Sequence, residues 1–212
     1  VVVMPIVTVT AGLAIDLNGD DEGTTAVGFR RALATLFRQT SPGVAAPGRL
    51  GADNFSVAGA ADAMQYSVTG GGLVLVRSAS NGAYLVGVPT TVTVPTDPAD
   101  GVNPRIDRIY AKQPDPMLDG SGVDVQLIIG VVCGAPAASP TVPDLPIGGY
   151  ELARKVIAAG ATNTQSGASF TNIAPTTGLN LGVGGVQATR EAADIWVQDT
   201  QPPYAENRLW VK

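Results

Sequence analysis

Between Asp53 and Cys133 the chain is written in short apolar–polar alternations, and nearly every run stops at a glycine or a proline. NFSVAG (54–59), MQYSVTG (64–70), GGLVLVRS (71–78) and GAYLVGV (82–88) each hold a few residues of period-two pattern between turn signals. A helix needs a longer run with a 3.6-residue period, so this part of the chain is restricted to strands. VTV (92–94) and RIDRIYAK (105–112) continue the series across a Pro/Asp/Gly turn, and VDVQLIIGVVCG (123–134) adds a longer strand whose apolar end predicts a central position. Many short strands at this spacing predict a mainly β fold, an antiparallel sandwich or barrel-like domain over residues 51–158.

One helix stands outside that pattern. In TTAVGFRRALATLFRQT (24–40), Phe29, Leu33, Leu36 and Phe37 recur at helical spacing with Arg30, Arg31 and Arg38 opposite, so a helix is predicted over about 25–39. It belongs to an N-terminal region, residues 1–50, that opens with the apolar stretch VVVMPIVTVTAGLAI. That stretch lacks the basic start of a signal peptide and has Pro5 early, so it reads as an extended strand or arm, with Met4 as a natural start. After GAPAASPTVPDLPIGG, which its four prolines hold extended, YELARKVIAAG (150–160) fits a strand or a short helix. Residues 159–190 are rich in Gly, Thr, Asn, Ser and Ala and predict a loose linker or a segment ordered only by its neighbours. Residues 191–212 contain the matching DIWV and RLWV, which predict a C-terminal β-hairpin with Trp196 and Trp210 near one another, used as an attachment element.

Composition narrows the chemistry. The chain has no histidine, which removes the commonest general base and metal ligand. DLNGDDEG places Asp16, Asn18, Asp20 and Glu22 like the first half of a calcium loop, but Asp21 stands where glycine is wanted and Val27 where a bidentate Glu is wanted. Asp115, Asp119 and Asp124 fit a polar hairpin loop better than an oxygen cluster, and Gly70, Gly71 and Gly72 lead into a strand, which leaves no helix to receive a phosphate. Cys133, the only cysteine, reads as a buried, inert thiol. No pair of carboxylates stands out as a glycosidase acid and nucleophile. No catalytic residue, metal or cofactor is therefore expected. A net charge of −5 argues against nucleic acid, and no stretch reaches the length of a membrane span. Charged residues make up only 15% of the chain and mean hydropathy is +0.20, which predicts apolar surface covered by other subunits.

The order GADNFSVAG, MQYSVTGGGLVLVRS, GAYLVGV, followed by PRIDRIYAKQPDP and VDVQLIIGVVCGAPAASPTVPDLPIGGYELARKVIAAGAT, resembles the baseplate and minor tail proteins of tailed bacteriophages. The shared features are a D-x-F-x-V strand before a glycine-turned hairpin, an R-x-D-x-I strand, a G-x-P-A-A-S-P turn and L-A-x-x-V before A-G-A-T. They span about residues 51–164, and the sequence departs from the family pattern after Thr164. The Trp-containing C-terminus also resembles a short module of phage tail proteins. The resemblance implies a non-enzymatic virion tail protein, assembled in the host cytoplasm. It would be a homo-oligomer, often a trimer, that docks on the tail hub and positions other tail or fibre proteins. The alternative is a virion carbohydrate- or receptor-binding module that touches a host surface glycan. Residues expected at subunit contacts are Phe29, Leu33, Leu36, Phe37, Arg105, Arg108, Trp196 and Trp210. For the Arg105/Asp107/Arg108 strand, pairing with a carboxylate of a neighbouring strand or subunit and a solvated face both fit.

Overall fold

A computed structural model describes residues 23–172 and 174–180, together with the backbone of Trp196–Val197 and Trp210–Val211. The elements run in chain order α1 (Ala26–Ala34), β1 (Gln39–Ser41), β2 (Val44–Ala45), β3 (Gly48–Arg49), β4 (Val57–Gly59), β5 (Gln65–Val68), β6 (Gly71–Val76), β7 (Ala83–Val88) and β8 (Val92–Pro95). Then follow β9 (Arg105–Lys112), the short helix α2 (Pro116–Asp119), β10 (Ile128–Cys133), β11 (Tyr150–Ile157), β12 (Thr171–Asn172), β13 (Trp196–Val197) and β14 (Trp210–Val211).

Through Asn180 the chain is one compact, mainly β unit with antiparallel sheets, a sandwich-like arrangement with no closed barrel. Three sheets share the larger core: β4-β5-β8, β3-β6-β7 and the four-stranded β10-β9-β11-β12. Period-two alternation decides what each contributes. Val57, Tyr66, Val68 and Val94 come from the first sheet, Leu73, Leu75, Tyr84 and Val86 from the second, and Ile109, Ala111, Ala153 and Ile157 from the third. The opposite face of β6 and β7 offers Val74 and Ala83 to a smaller core completed by Ala34, Phe37 and Ala45. The sheet β3-β6-β7 is therefore a middle layer, with α1 on one side and the main core on the other.

α1 begins where Thr25 accepts a hydrogen bond from the Gly28 amide at 3.0 Å, and it ends earlier than the apolar spacing predicts. The Thr35 hydroxyl donates to the Ala32 carbonyl at 2.7 Å, and the Arg38 amide turns away to the Gly178 carbonyl. The helix face also differs from expectation. Phe37 is buried beyond the helix end, Leu33 is half-buried, and Phe29 and Leu36 are 47% and 54% exposed. Gly28 and Ala34 are the residues that close against the sheet, because small side chains let the helix approach. Arg31 donates from Nε to the Ser80 carbonyl at 2.8 Å and Arg30 from Nε to that of Asn81 at 3.0 Å, so arginines opposite the apolar stripe tie α1 to the turn before β7.

One further expectation changes and two open readings resolve. β10 is an edge strand, not a central one; its neighbour β9 is paired on both edges, by β10 and β11, and turns one face into the core. Residues 150–157 of YELARKVIAAG are a strand. Of the two readings of 159–190, the described part, residues 159–172 and 174–180, is ordered by its neighbours: Thr164 is fully buried, its hydroxyl accepts from the Ala60 amide at 2.9 Å and donates to the Gln65 carbonyl, and β12 pairs with β11. Gly59 makes that approach possible, since a Cβ there would lie 2.4 Å from the Thr164 carbonyl oxygen.

The second unit comprises Leu181–Lys212. Trp196 is the register partner of Trp210, as the hairpin expectation had it, but β13 and β14 are parallel. A tight hairpin turn joins antiparallel strands only, so the parallel pairing replaces the expected hairpin.

Phe37→Ala is expected to lower stability by about 3–5 kcal/mol through the cavity it leaves, and Leu36→Ala by less than about 0.5 kcal/mol. Denaturant unfolding of the two variants checks this assignment.

Candidate functional site

The strand RIDRIYAK brings charge into the core. Its residues 105, 107, 109 and 111 share the inward face, so alternation places Arg105 and Asp107 beside Ile109 and Ala111. Asp107 is fully buried and Arg105 is 3% exposed. An unpaired carboxylate there would be very costly, and four donors prevent that. Arg105 Nε lies 2.7 Å from Oδ1, and the Tyr66 hydroxyl and the Thr96 hydroxyl donate to Oδ2 at 2.8 and 2.7 Å, with Arg105 Nη2 more distant at 3.4 Å. The rest of the guanidinium donates to the carbonyls of Asp97 and Pro98, fixing the connection after β8. Burial and the adjacent Asp107 charge push the Tyr66 phenol far above its ordinary pKa, so it stays a donor.

Directly across the ladder from Asp107 stands Lys155, 2% exposed. Its ammonium donates to the carbonyls of Gln165 (3.4 Å) and Ala168 and lies 4.8 Å from the Phe170 ring centre, and Phe170 meets Tyr66 edge-on at 5.8 Å. Burial holds the Lys155 pKa below that of an ordinary lysine.

The outward face of the same two strands carries a second network. Arg108 and Arg154 are register partners, and two like charges directly opposite repel. Glu151 lies between them, with Oε2 2.6 Å from Arg108 Nη2 and Oε1 2.8 Å from Arg154 Nε. Burial acts to raise the Glu151 pKa, but the hydrogen bonds from Arg154 and Arg108 outweigh it and hold the group below its ordinary value. Arg108 also donates to the Pro143 carbonyl at 2.9 Å.

At the far end of β9 the sequence QPDPMLDG folds into α2, capped by the Asp115 carboxylate on the Met117 amide at 2.9 Å. Asp115 accepts from the Tyr84 hydroxyl and pairs with Arg30 at 3.1 Å, and Asp119 pairs with Arg77 and, at 2.8 Å, with Lys112. The Arg30 guanidinium also lies 4.6 Å from the Tyr84 ring centre. Hydrogen bonds from Arg77 and Lys112 hold Asp119 well below the usual carboxylate range, and that from Tyr84 lowers Asp115 against burial. Burial and the bond to Asp115 push Tyr84 up to about 12.

Every oxygen of Asp107, Asp115, Asp119 and Glu151 is thus engaged by a donor of the chain itself, which makes these groups fasteners between strands. Asp124, the third member of the sequence cluster, accepts from the Gln126 amide in a separate turn. Among the described residues no group of three or more Cys, Asp or Glu is placed to hold a metal ion, and Asp16, Asn18, Asp20 and Glu22 lie outside them. Cys133 is half-buried at an edge, not fully enclosed, with Sγ 3.2 Å from the Thr96 hydroxyl and its pKa raised by burial.

The residues expected at subunit contacts separate. Arg105 and Phe37 are consumed inside the fold, and Arg108 pairs with a carboxylate of the neighbouring strand. Phe29 and Leu33 line a groove beside β7, Leu36 is exposed, and the side chains of Trp196 and Trp210 lie outside the described residues. Sequence reasoning missed Lys155, Glu151 and Tyr66. Lys155 had a signal, since it shares parity with Ala153 and Ile157 on the apolar face of β11. Glu151 had none, because the register shift between Glu151 and Ala153 moves it onto the face opposite Lys155.

Compared with known proteins, the chain matches no family model, no curated protein and no solved structure.

Because Asp115, Asp119 and Glu151 are held below their ordinary values, they stabilise the fold above about pH 4 and that contribution is lost as pH falls through their folded pKa values. The melting temperature is expected to drop between pH 6 and pH 3, and to drop less in Asp119→Asn; thermal scans of both proteins at the two pH values check this.

Proposed function

We propose that this protein is a non-catalytic structural component of a bacteriophage tail tip or baseplate, which oligomerises in the virion and docks or positions other tail or fibre proteins. The observation that carries this reading is where the residues of the resemblance lie. Arg105, Asp107 and Ile109 of the R-x-D-x-I strand are all buried, and Arg105 and Asp107 bind each other and the loop after β8. The Gly134 amide donates to the Ile106 carbonyl and that of Ala137 to Pro104, so the G-x-P-A-A-S-P turn is fastened to the same strand. A motif used in this way preserves a shape, the property an assembly component needs, and leaves its carboxylates no free oxygen to offer a substrate.

Surface composition supports the oligomer. Ile147 and Val102 are more than four-fifths exposed, and Met117 and Val125 are more than half exposed, on a chain with few charges. Covering such side chains is what a subunit contact provides. Native mass measurement at micromolar concentration is expected to give a multiple of 21.5 kDa, three copies being the expected number. A monomer under those conditions, with the chain absent from purified virions, would overturn the proposal.

A further inference from the structure

Exposed apolar side chains gather at one end of β9. Lys112, the last residue of that strand, reaches the Asp119 carboxylate at 2.8 Å, and Asp119 also pairs with Arg77. Each member of this ion cluster brings an exposed apolar neighbour with it. Asp119 closes α2, which carries Met117, 69% exposed, and Leu118. Lys112 is the register partner of the exposed Ile128 on β10. The backbone of Gly148 packs on Arg77, since a Cβ there would lie 2.5 Å from Arg77 Nε, and this holds the turn that carries Ile147, 85% exposed. Four apolar side chains from three separate segments are therefore grouped around one cluster of charges. Apolar residues exposed singly need no explanation, but a group fastened from beneath has the form of a contact surface.

The charges decide what can cover it. The side chains of Arg77 and Asp119 are almost buried, and Asp115, which caps α2, pairs with Arg30 at 3.1 Å. Each charge has its partner inside the chain, so the surface selects an apolar occupant and not a charged one. The chain owns such a surface in this same patch. Copies of a chain with a net charge of −5 repel one another in general, and they approach with least repulsion where the carboxylates of each are already paired within it. An apolar patch with satisfied charges is complementary to its own equivalent, which is what a contact about a symmetry axis requires. The patch is also fixed before any partner arrives. α2 is capped by Asp115, and the Gly149 amide closes the turn on the Pro146 carbonyl at 2.8 Å, so little ordering opposes association.

We propose that the patch of Met117, Leu118, Ile128 and Ile147 is where copies of this chain meet, each patch against its equivalent about a symmetry axis. This contact rests on the oligomer proposed above and assigns the surface that forms it. Native mass measurement of the full chain at micromolar concentration tests it. Met117→Glu and Ile147→Glu each set like charges against one another across the axis, and both are expected to raise the concentration needed for assembly by on the order of a hundredfold, releasing monomers of 21.5 kDa. Val102→Glu, at a site as exposed as Ile147 but before the opposite end of β9, is expected to assemble like the parent protein. Met117→Glu and Met117→Lys, each monomeric alone, are expected to associate when mixed. Hydrogen-exchange protection of β9 and β11 as in the parent protein establishes that the variants fold. An oligomer that persists in both glutamate variants, or that Val102→Glu disrupts as strongly, overturns this contact and leaves the oligomer standing. Glutamate and lysine forms that stay apart on mixing overturn it as well, because the patch then faces a different surface. A monomeric parent protein overturns both the contact and the oligomer.

Discussion

A fully buried carboxylate is the constraint on which the rest of this structure depends. Asp107 cannot be charged in the core without donors on both oxygens, and its donors come from three places: Tyr66 on β5, Thr96 after β8 and Arg105 on its own strand. Satisfying one charge therefore fixes the sheet β4-β5-β8 against the sheet that contains β9. Removing one partner of such a pair is far more costly than the pair is stabilising, because the other is left buried and uncompensated. The pair thus specifies which packing is allowed, while the surrounding Ile109, Leu152 and Ile157 supply most of the favourable burial.

The same device recurs at smaller scale along β9 and β11. Lys155 faces Asp107 across the ladder and holds residues 165–168 through their carbonyls, which orders a stretch poor in apolar side chains. Glu151 allows Arg108 and Arg154 to stand opposite one another, and Asp119 gathers Arg77 and Lys112 at the end of the strand. Since each carboxylate is shared by donors from different segments, few charges suffice to fasten many short elements. That is consistent with a chain of only 15% charged residues that is mainly β yet has few long strands.

How much of this could be read from the sequence followed the strength of local pattern. The extent of β9 was legible, because Pro104 and Pro114 bracket RIDRIYAK, but its inward face was not, since that face carries the charged Arg105 and Asp107. The strands between Val57 and Pro95 were legible from glycine punctuation. The helix was legible but its buried face was not, since spacing favoured the large side chains Phe29 and Leu36, whereas close packing selected Gly28 and Ala34. Composition left two readings open at residues 160–180, and hydrogen bonds made by Thr164 and Lys155 decide between them by ordering a stretch that lacks apolar pattern. The edge position of β10 and the parallel pairing of β13 with β14 depend on partners distant in sequence, which no local signal encodes.

Arg105 and Asp107 act on each other inside the fold and not on a neighbouring subunit. A double-mutant cycle with Arg105→Met, Asp107→Leu and the combined variant, followed by chemical unfolding and native mass, measures this directly. Each single change is expected to destabilise by about 3–5 kcal/mol, the double variant to recover a large part of the loss, and the folded proteins to keep the parent's assembly state. Single variants that unfold like the parent protein but fail to assemble would contradict it.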